Sequence, residues 1–151
     1  MGEKMKRICF VCTGNTCRSP MAEIILKSKL KLAGITDVRV TSAGLSAIDG
    51  DKMNPKSRTA LKLLGLKGYS FKAKNLNQKL LKSSDLIICM TKSHKVYLSG
   101  EKNVYSMDEL TGLGDILDPY GLDQSVYVET SRQIEDACTV ILTKILQAKG
   151  E

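Results

Sequence analysis

One histidine, two phenylalanines and no tryptophan stand in a chain of 151 residues, of which aromatic residues make up only 5%. These shortages exclude several functions. With His94 the only histidine, the Cys-x2-Cys pair Cys9 and Cys12 lacks partners for a four-ligand tetrahedral zinc site. Few aromatics, and lysines spread over several segments instead of one basic, aromatic-rich strip, argue against nucleic acid as a partner. No apolar run reaches the ~18 residues of a membrane span. Met1 to Lys6 are polar and lead straight into an apolar run, which predicts no signal peptide. Cysteines number five, an odd count. Without a secretion signal they point to reduced thiols in the cytoplasm.

What the chain does contain is ordinary for one globular domain spanning residues 1–151. A chain this long buries ~68–70% of its unfolded surface and needs no staples. Hydrophobic and charged fractions are 42% and 26%. The net charge of +7 reads first as a solvated, lysine-rich surface, and second as an attraction for acidic partners such as phosphorylated proteins.

Apolar runs at Arg7–Val11, Val38–Ser42, Asp85–Met90 and Asn103–Ser106 read as four strands. Helical patterns alternate with them. Met21, Ile24, Ile25, Leu30 and Leu32 share a face of one helix, with Ser19 as its cap and Pro20 in its first turn. Asn54-Pro55 opens a second helix that stops at Gly65, and Asn77–Lys82 reads as a short third. Ser125–Lys149 forms a long last helix with Ile134, Cys138, Ile141, Leu142 and Ile145 on one face. Alternating strands and helices predict a three-layer α/β fold, a four-stranded parallel sheet flanked by helices. Its strand-ending loops gather on one edge, where ligands bind.

The segment Cys12-Thr13-Gly14-Asn15-Thr16-Cys17-Arg18-Ser19-Pro20 falls between the first strand and the first helix. Amides of a tight loop, together with a helix N-terminus, cradle a tetrahedral anion. Cysteines in such positive fields ionise at ~3.5–7.5 against ~8.5 for a free thiol. Arg18 adds a fork for two phosphate oxygens. Gly14 and Asn15 are expected to supply positive φ, and the Ser19 hydroxyl to donate to the thiolate. Cys12 as a mere buried hydrophobe fits poorly with Gly14, Asn15 and Arg18 following it. Asp118-Pro119-Tyr120-Gly121 reads as a type I turn with Asp118 first, and a turn stiffened by Pro119 can also hold a carboxyl in place. Tyr120 is either a wall of the site or a partly exposed loop residue. His94, after the third strand, reads as surface.

Cys-x5-Arg-Ser, with Gly14-Asn15, Cys17-Arg18-Ser19-Pro20, Thr41-Ser42-Ala43-Gly44 and Asp118-Pro119-Tyr120, resembles the low-molecular-weight protein tyrosine phosphatase family. Within it, Cys-Thr-Gly-Asn-Thr-Cys-Arg-Ser-Pro is most similar to the bacterial protein-arginine phosphatases. The resemblance implies that Cys12 is a nucleophile forming a phosphocysteine, Arg18 a stabiliser of the transferred phosphoryl group, and Asp118, in preference to Asp115, the general acid. It assigns Thr13, Gly14, Asn15, Thr16, Cys17, Ser19 and Tyr120 to substrate binding. Asn15, Ser19 and Ser42 would hold the loop open, and Cys17 would trap an oxidised Cys12. Loop and arginine supply the positive charge, so neither a metal nor another cofactor is expected. Phe71 occupies the place of a histidine found in many members of the family.

Thr13 is smaller and more polar than the aliphatic residue typical of tyrosine-directed relatives, and it suits a phosphoguanidine. The expected activity is therefore hydrolysis of phosphoarginine, with residual phosphotyrosine activity. The alternative is a plain tyrosine phosphatase. Arsenate reduction needs resolving cysteines downstream, where only Cys89 lies, in an apolar run. A non-catalytic phosphoprotein-binding module sits badly with intact Cys12, Arg18 and Asp118.

Overall fold

The computed structural model describes residues 5–68 and 70–150. Elements follow in the order β1 (Arg7–Cys12), α1 (Arg18–Leu32), β2 (Arg39–Gly44), α2 (Pro55–Leu63), α3 (Gln78–Ser83), β3 (Leu86–Cys89), α4 (Lys92–Val96), β4 (Val104–Ser106), α5 (Met107–Thr111) and α6 (Gln124–Lys149). The strands form one four-stranded sheet in the order β2-β1-β3-β4, with every neighbouring pair parallel. β1 is central, and Ile8, Cys9, Phe10 and Val11 are buried on both of its faces. That explains why they read as a continuous apolar run without alternation.

Alternation reappears in the packing. Ile8, Phe10 and Cys12 join the main core with Met21, Ile25 and Leu26 of α1 and Ile134, Cys138, Ile141 and Ile145 of α6. Cys9 and Val11 face the other way, with Ile87 and Cys89 of β3 and, more peripherally, Leu80 and Leu81 of α3. Cys9 and Cys12 thus lie on opposite sides of the sheet. Each large apolar side chain buried in this way contributes about 1.5–3 kcal/mol.

Local chemistry sets several element ends. Asn54 caps α2 by accepting from the Lys56 amide, with Pro55 beginning the helix. Asn77 caps α3 through the Leu80 amide. α5 carries a reciprocal cap, in which Ser106 Oγ accepts from the Glu109 amide and the Glu109 carboxylate from the Ser106 amide.

Three expectations need correction. α1 starts at Arg18 with Cys17 at its cap position and no capping side chain, so Ser19 lies inside the first turn and its hydroxyl serves elsewhere. α4 and α5 are absent from the sequence reading; each spans only five residues, too few to show a helical period. Asp85 lies just before β3 and grips β1 instead, its amide donating to the Arg7 carbonyl at 2.8 Å and its carboxylate accepting from the Arg7 amide at 3.0 Å.

Candidate active site

Parallel β1 and β3 are neighbours, so the segments that leave their C-terminal ends lie side by side. The segment after β1 is folded by what surrounds it. The carbonyls of Cys12 and Thr13 accept from the amides of Leu45 and Ser46, both at 2.9 Å, and the carbonyl of Thr16 accepts from Asn54 at 2.9 Å. The Cys17 carbonyl accepts from Ser57 Oγ at 3.5 Å. In a planar trans peptide the next residue's N–H points opposite to the carbonyl. The amides of Thr13, Gly14, Cys17 and Arg18 are thereby turned away from β2 and α2, toward the cleft.

Two backbone positions make this possible. Asn15 adopts φ 55°; Gly14 does not take a left-handed conformation and has room for a Cβ, its nearest neighbour Thr16 Oγ1 lying 3.7 Å away. The expectation of positive φ thus holds at Asn15 alone. The second position is Gly44 at the end of β2. A Cβ there would meet the Thr13 carbonyl at 2.5 Å and the Asn15 amide at 3.0 Å, so only glycine lets the loop sit this close to the sheet.

Under the loop runs a branched hydrogen-bond chain. The Asn15 side-chain oxygen accepts from the Lys74 amide at 3.0 Å, which fixes the orientation of the carboxamide. Its NH2 then donates to Ser19 Oγ at 2.8 Å and Ser42 Oγ at 3.0 Å. Ser42 Oγ donates to the Glu23 carboxylate at 2.7 Å, and Glu23 is paired with Lys27 at 2.7 Å. Because Ser19 Oγ accepts from Asn15, its own proton is free to donate to Cys12 Sγ, 2.9 Å away. Cys12 itself is 3% exposed. Glu23 completes this chain, and the sequence alone assigned it no role.

Arg18, 6% exposed, is aimed by a bond from Nη1 to the Ile116 carbonyl at 3.2 Å. Its other nitrogen lies 3.6 Å from Asp118 Oδ2, and the Asp118 side chain is 59% exposed. The anticipated type I turn starting at Asp118 is replaced by a turn that starts one residue later and is not type I, its third residue being left-handed. Leu122 donates to the Pro119 carbonyl at 2.9 Å, with Gly121 left-handed at φ 78°. Asp118 instead accepts from the Tyr120 amide at 3.1 Å. Asp115 is committed elsewhere, accepting from the Lys92 amide at 3.1 Å. Cys12, Thr13, Gly14, Thr16, Cys17, Arg18, Asp118 and Tyr120 line one cleft of about 270 Å³. Tyr120 lines it while remaining 72% exposed, so both readings of that residue hold.

His94 departs from its reading as surface: it is buried at 5% exposure. Nε2 lies 3.0 Å from Thr13 Oγ1 and Nδ1 2.9 Å from Thr91 Oγ1. Burial and the Arg18 charge, opposed by Asp118 and Asp115, pull its pKa down to about 4. Cys17 touches the buried Tyr127 hydroxyl at 3.7 Å; burial pushes its thiol up, partly offset by Tyr127 and Thr16. Burial raises Cys9 to about 11 and Cys89 to about 12. Phe71 packs partly buried against the core, and the loop takes its hydrogen bond from the nearby Lys74 backbone. Among the described residues no group of three or more His, Cys, Asp or Glu side chains is placed to hold a metal ion.

Glu23, His94 and Tyr127 are the site residues that sequence reasoning missed. The signal for Tyr127 and Glu23 was present only as polar residues on otherwise apolar helix faces.

A bowl of inward amides, a buried cysteine at its base, a guanidinium on its rim and a carboxylate opposite can hold a tetrahedral anion against sulfur. The chain is similar in sequence and fold to known proteins. Residues 7–151 match the family model described as low molecular weight phosphotyrosine protein phosphatase. A protein-arginine-phosphatase of Bacillus subtilis is 38% identical over 138 residues, 85% of this chain and 89% of that protein. A low molecular weight protein-tyrosine-phosphatase, PtpB, of Staphylococcus haemolyticus is 41% identical over 133 residues, covering 85% and 91%. The structure of YwlE arginine phosphatase, a cysteine-to-serine mutant with a phosphorylated active-site serine, superposes with a TM-score of 0.88 at 33% identity, covering 93% of this chain and 96% of that one. By its sequence and its fold, the chain belongs to the low molecular weight phosphotyrosine protein phosphatase family.

Proposed function

We propose that residues 1–151 act as one cysteine-dependent protein phosphatase domain that hydrolyses phosphoarginine on proteins, and phosphotyrosine more slowly, through a phosphocysteine. The observation that carries this reading is the Lys74–Asn15–Ser19–Cys12 chain of donors, which ends on sulfur directly beneath the inward amides. In the first step Cys12 Sγ attacks phosphorus while the P–N bond breaks. The amides and Arg18 stabilise the equatorial oxygens. Asp118, protonated, gives its proton to the departing nitrogen. In the second step Asp118 takes a proton from water as that water attacks phosphorus. The S–P bond breaks, inorganic phosphate leaves and the thiolate is restored.

The exposed position of Asp118 at the cleft mouth supports its role as acid, since a leaving group departs there; Asp115 is tied to the Lys92 amide of α4. Arsenate reduction is disfavoured because Cys89 is fully buried among side chains on the far face of the sheet from Cys12. The reading places the enzyme in a reducing compartment, the cytoplasm, and its five free cysteines support that.

The arginine preference rests on Thr13, the residue beside the reacting phosphorus. The test is kcat/KM for phosphoarginine and phosphotyrosine on one peptide backbone. Wild type should favour phosphoarginine, and Thr13→Ile should move the ratio toward phosphotyrosine by roughly tenfold. A wild-type preference for phosphotyrosine returns the protein to the plain tyrosine phosphatases. An unchanged ratio in Thr13→Ile moves specificity to Asp118 and Tyr120.

A further inference from the structure

The Thr13 hydroxyl, on which the arginine preference rests, is not a free rotor. Thr13 is exposed at the cleft, and a threonine there would ordinarily turn its hydroxyl among several water-bound orientations. In this chain His94 Nε2 holds Thr13 Oγ1 at 3.0 Å. His94 is itself held twice by Thr91, whose Oγ1 accepts from the His94 amide at 3.2 Å and lies 2.9 Å from Nδ1. Thr91 caps α4, and α4 begins where β3 ends, beside β1. The imidazole therefore bridges the two strand ends and reaches the specificity residue from behind.

We propose that His94 is a positioning residue that fixes the hydrogen-bond polarity of Thr13 and so sets the choice between a phosphoguanidine and a phosphate ester; the proposal rests on the arginine-phosphatase reading. An uncharged imidazole carries one N–H and one bare nitrogen. With Nδ1–H donated to Thr91, Nε2 is bare and accepts a hydrogen bond from the Thr13 hydroxyl. Both Thr13 lone pairs then face the cleft, and the N–H groups of a guanidine can donate to them. The opposite tautomer donates Nε2–H to Thr13, which then turns its own proton outward. That arrangement suits a substrate offering oxygen acceptors and leaves guanidine N–H groups with one fewer acceptor. The Nδ1–H tautomer is the one that selects phosphoarginine. The groups whose charge reaches the ring are Arg18, Asp118 and Asp115. Burial and Arg18 disfavour the imidazolium, which like the Nε2–H tautomer cannot accept from Thr13.

Two polar substitutions separate positioning from structure. In His94→Asn the amide can reach Thr91 but falls short of Thr13; in His94→Gln it reaches Thr13 and can accept. His94→Asn should lower the phosphoarginine to phosphotyrosine ratio of kcat/KM roughly tenfold, and His94→Gln should keep most of it. A double substitution with Thr13→Val should add no further change in the ratio beyond Thr13→Val alone. A histidine whose role is only structural would lower both substrates together, and that result, or an unchanged ratio in His94→Asn, overturns the proposal. Because His94 is the only histidine, nitrogen NMR of the untagged, labelled wild-type protein reads its tautomer without assignment and without any variant. A bare Nε2 is expected, and a protonated Nε2 overturns the stated polarity. A wild type that prefers phosphotyrosine overturns the parent reading and this one with it. A wild type that prefers phosphoarginine, with an unchanged ratio in His94→Asn, overturns this one alone.

Discussion

Residues 12–19 and residues 113–122 face each other across one cleft, yet they are held by different means. In the first segment Asn15 and Ser19 are completely buried, and four carbonyls are tied to β2, α2 and the segments beside them. In the second, Leu113, Leu117, Tyr120 and Leu122 are exposed. That segment is pinned at a few points: the Ile116 amide donates to the Met90 carbonyl at 3.0 Å, and Gln133 on α6 accepts from Leu117 at 3.0 Å while donating to the Asp115 carbonyl at 2.8 Å. The contrast follows from the chemistry each side must do. Phosphorus demands one fixed geometry whichever protein carries it, and preorganised donors bind it without reorganising. The leaving side must meet a peptide, release it and then admit water.

The comparison breaks most completely at sulfur. Cys12→Ser should lose at least about a thousandfold in kcat while still binding a phosphate mimic, because the bowl of amides survives the change. A tenth of wild-type rate remaining, by initial-rate assay, would remove Cys12 from the nucleophile's role. On the opposite side, Asp118→Asn should cost ~10²–10⁴-fold with a basic leaving group and far less with an acidic one. Equal losses along a leaving-group series would point to Asp115.

Gly44→Ala tests whether the rigid side owes its shape to the sheet beneath it. A methyl placed 2.5 Å from the Thr13 carbonyl must push the loop outward, and a displacement near 1 Å costs about 10²-fold in rate. The same substitution on the exposed side, Gly114→Ala, has open space around the new carbon but meets φ 87°, so its cost is backbone strain. If calorimetry and kcat/KM show Gly44→Ala as mild as Gly114→Ala, the close approach is not what shapes the loop.

The smallest effect concerns the histidine between the two sides. His94 titrates near 6.5 when unfolded and at about 4 when folded, through burial and Arg18, with Asp118 and Asp115 opposing. Its folded pKa is depressed, so the unfolded chain binds the extra proton first. The stability it contributes is complete above pH ~6.5 and is lost as pH falls toward ~4. Measured by urea unfolding, wild type should lose up to about 3 kcal/mol more than His94→Gln across that window. Parallel curves would mean that the ring is protonated, or wet, in the folded protein.

The parts of this comparison that the sequence revealed are those whose chemistry is written in neighbouring residues. Cys12, Gly14-Asn15 and Arg18 are consecutive in function as in chain, and the alternation of strands with helices placed them at a sheet edge. The hidden parts depend on partners brought from afar. Asn15 meets Ser42 across 27 positions, and Thr13 meets His94 across 81. A lone histidine in Thr91-Lys92-Ser93-His94-Lys95 carries no mark of burial when α4 is too short to show a periodic face. Ser19 was misread for a related reason. Serine before proline is a good cap by propensity, but here Ser19 lies inside the first turn and its hydroxyl is held between Asn15 and Cys12.

The outward carbonyls have one more consequence, visible in isotope exchange. Rigid backbone is usually protected backbone, because the hydrogen bonds that order an amide also hide it. Here the order comes through the carbonyls of Cys12, Thr13, Thr16 and Cys17, while the amides of Thr13, Gly14, Cys17 and Arg18 look into an open cleft. In the free enzyme these four hydrogens should trade with deuterium quickly from one of the most firmly fixed segments of the molecule, and a bound oxyanion should slow all four together.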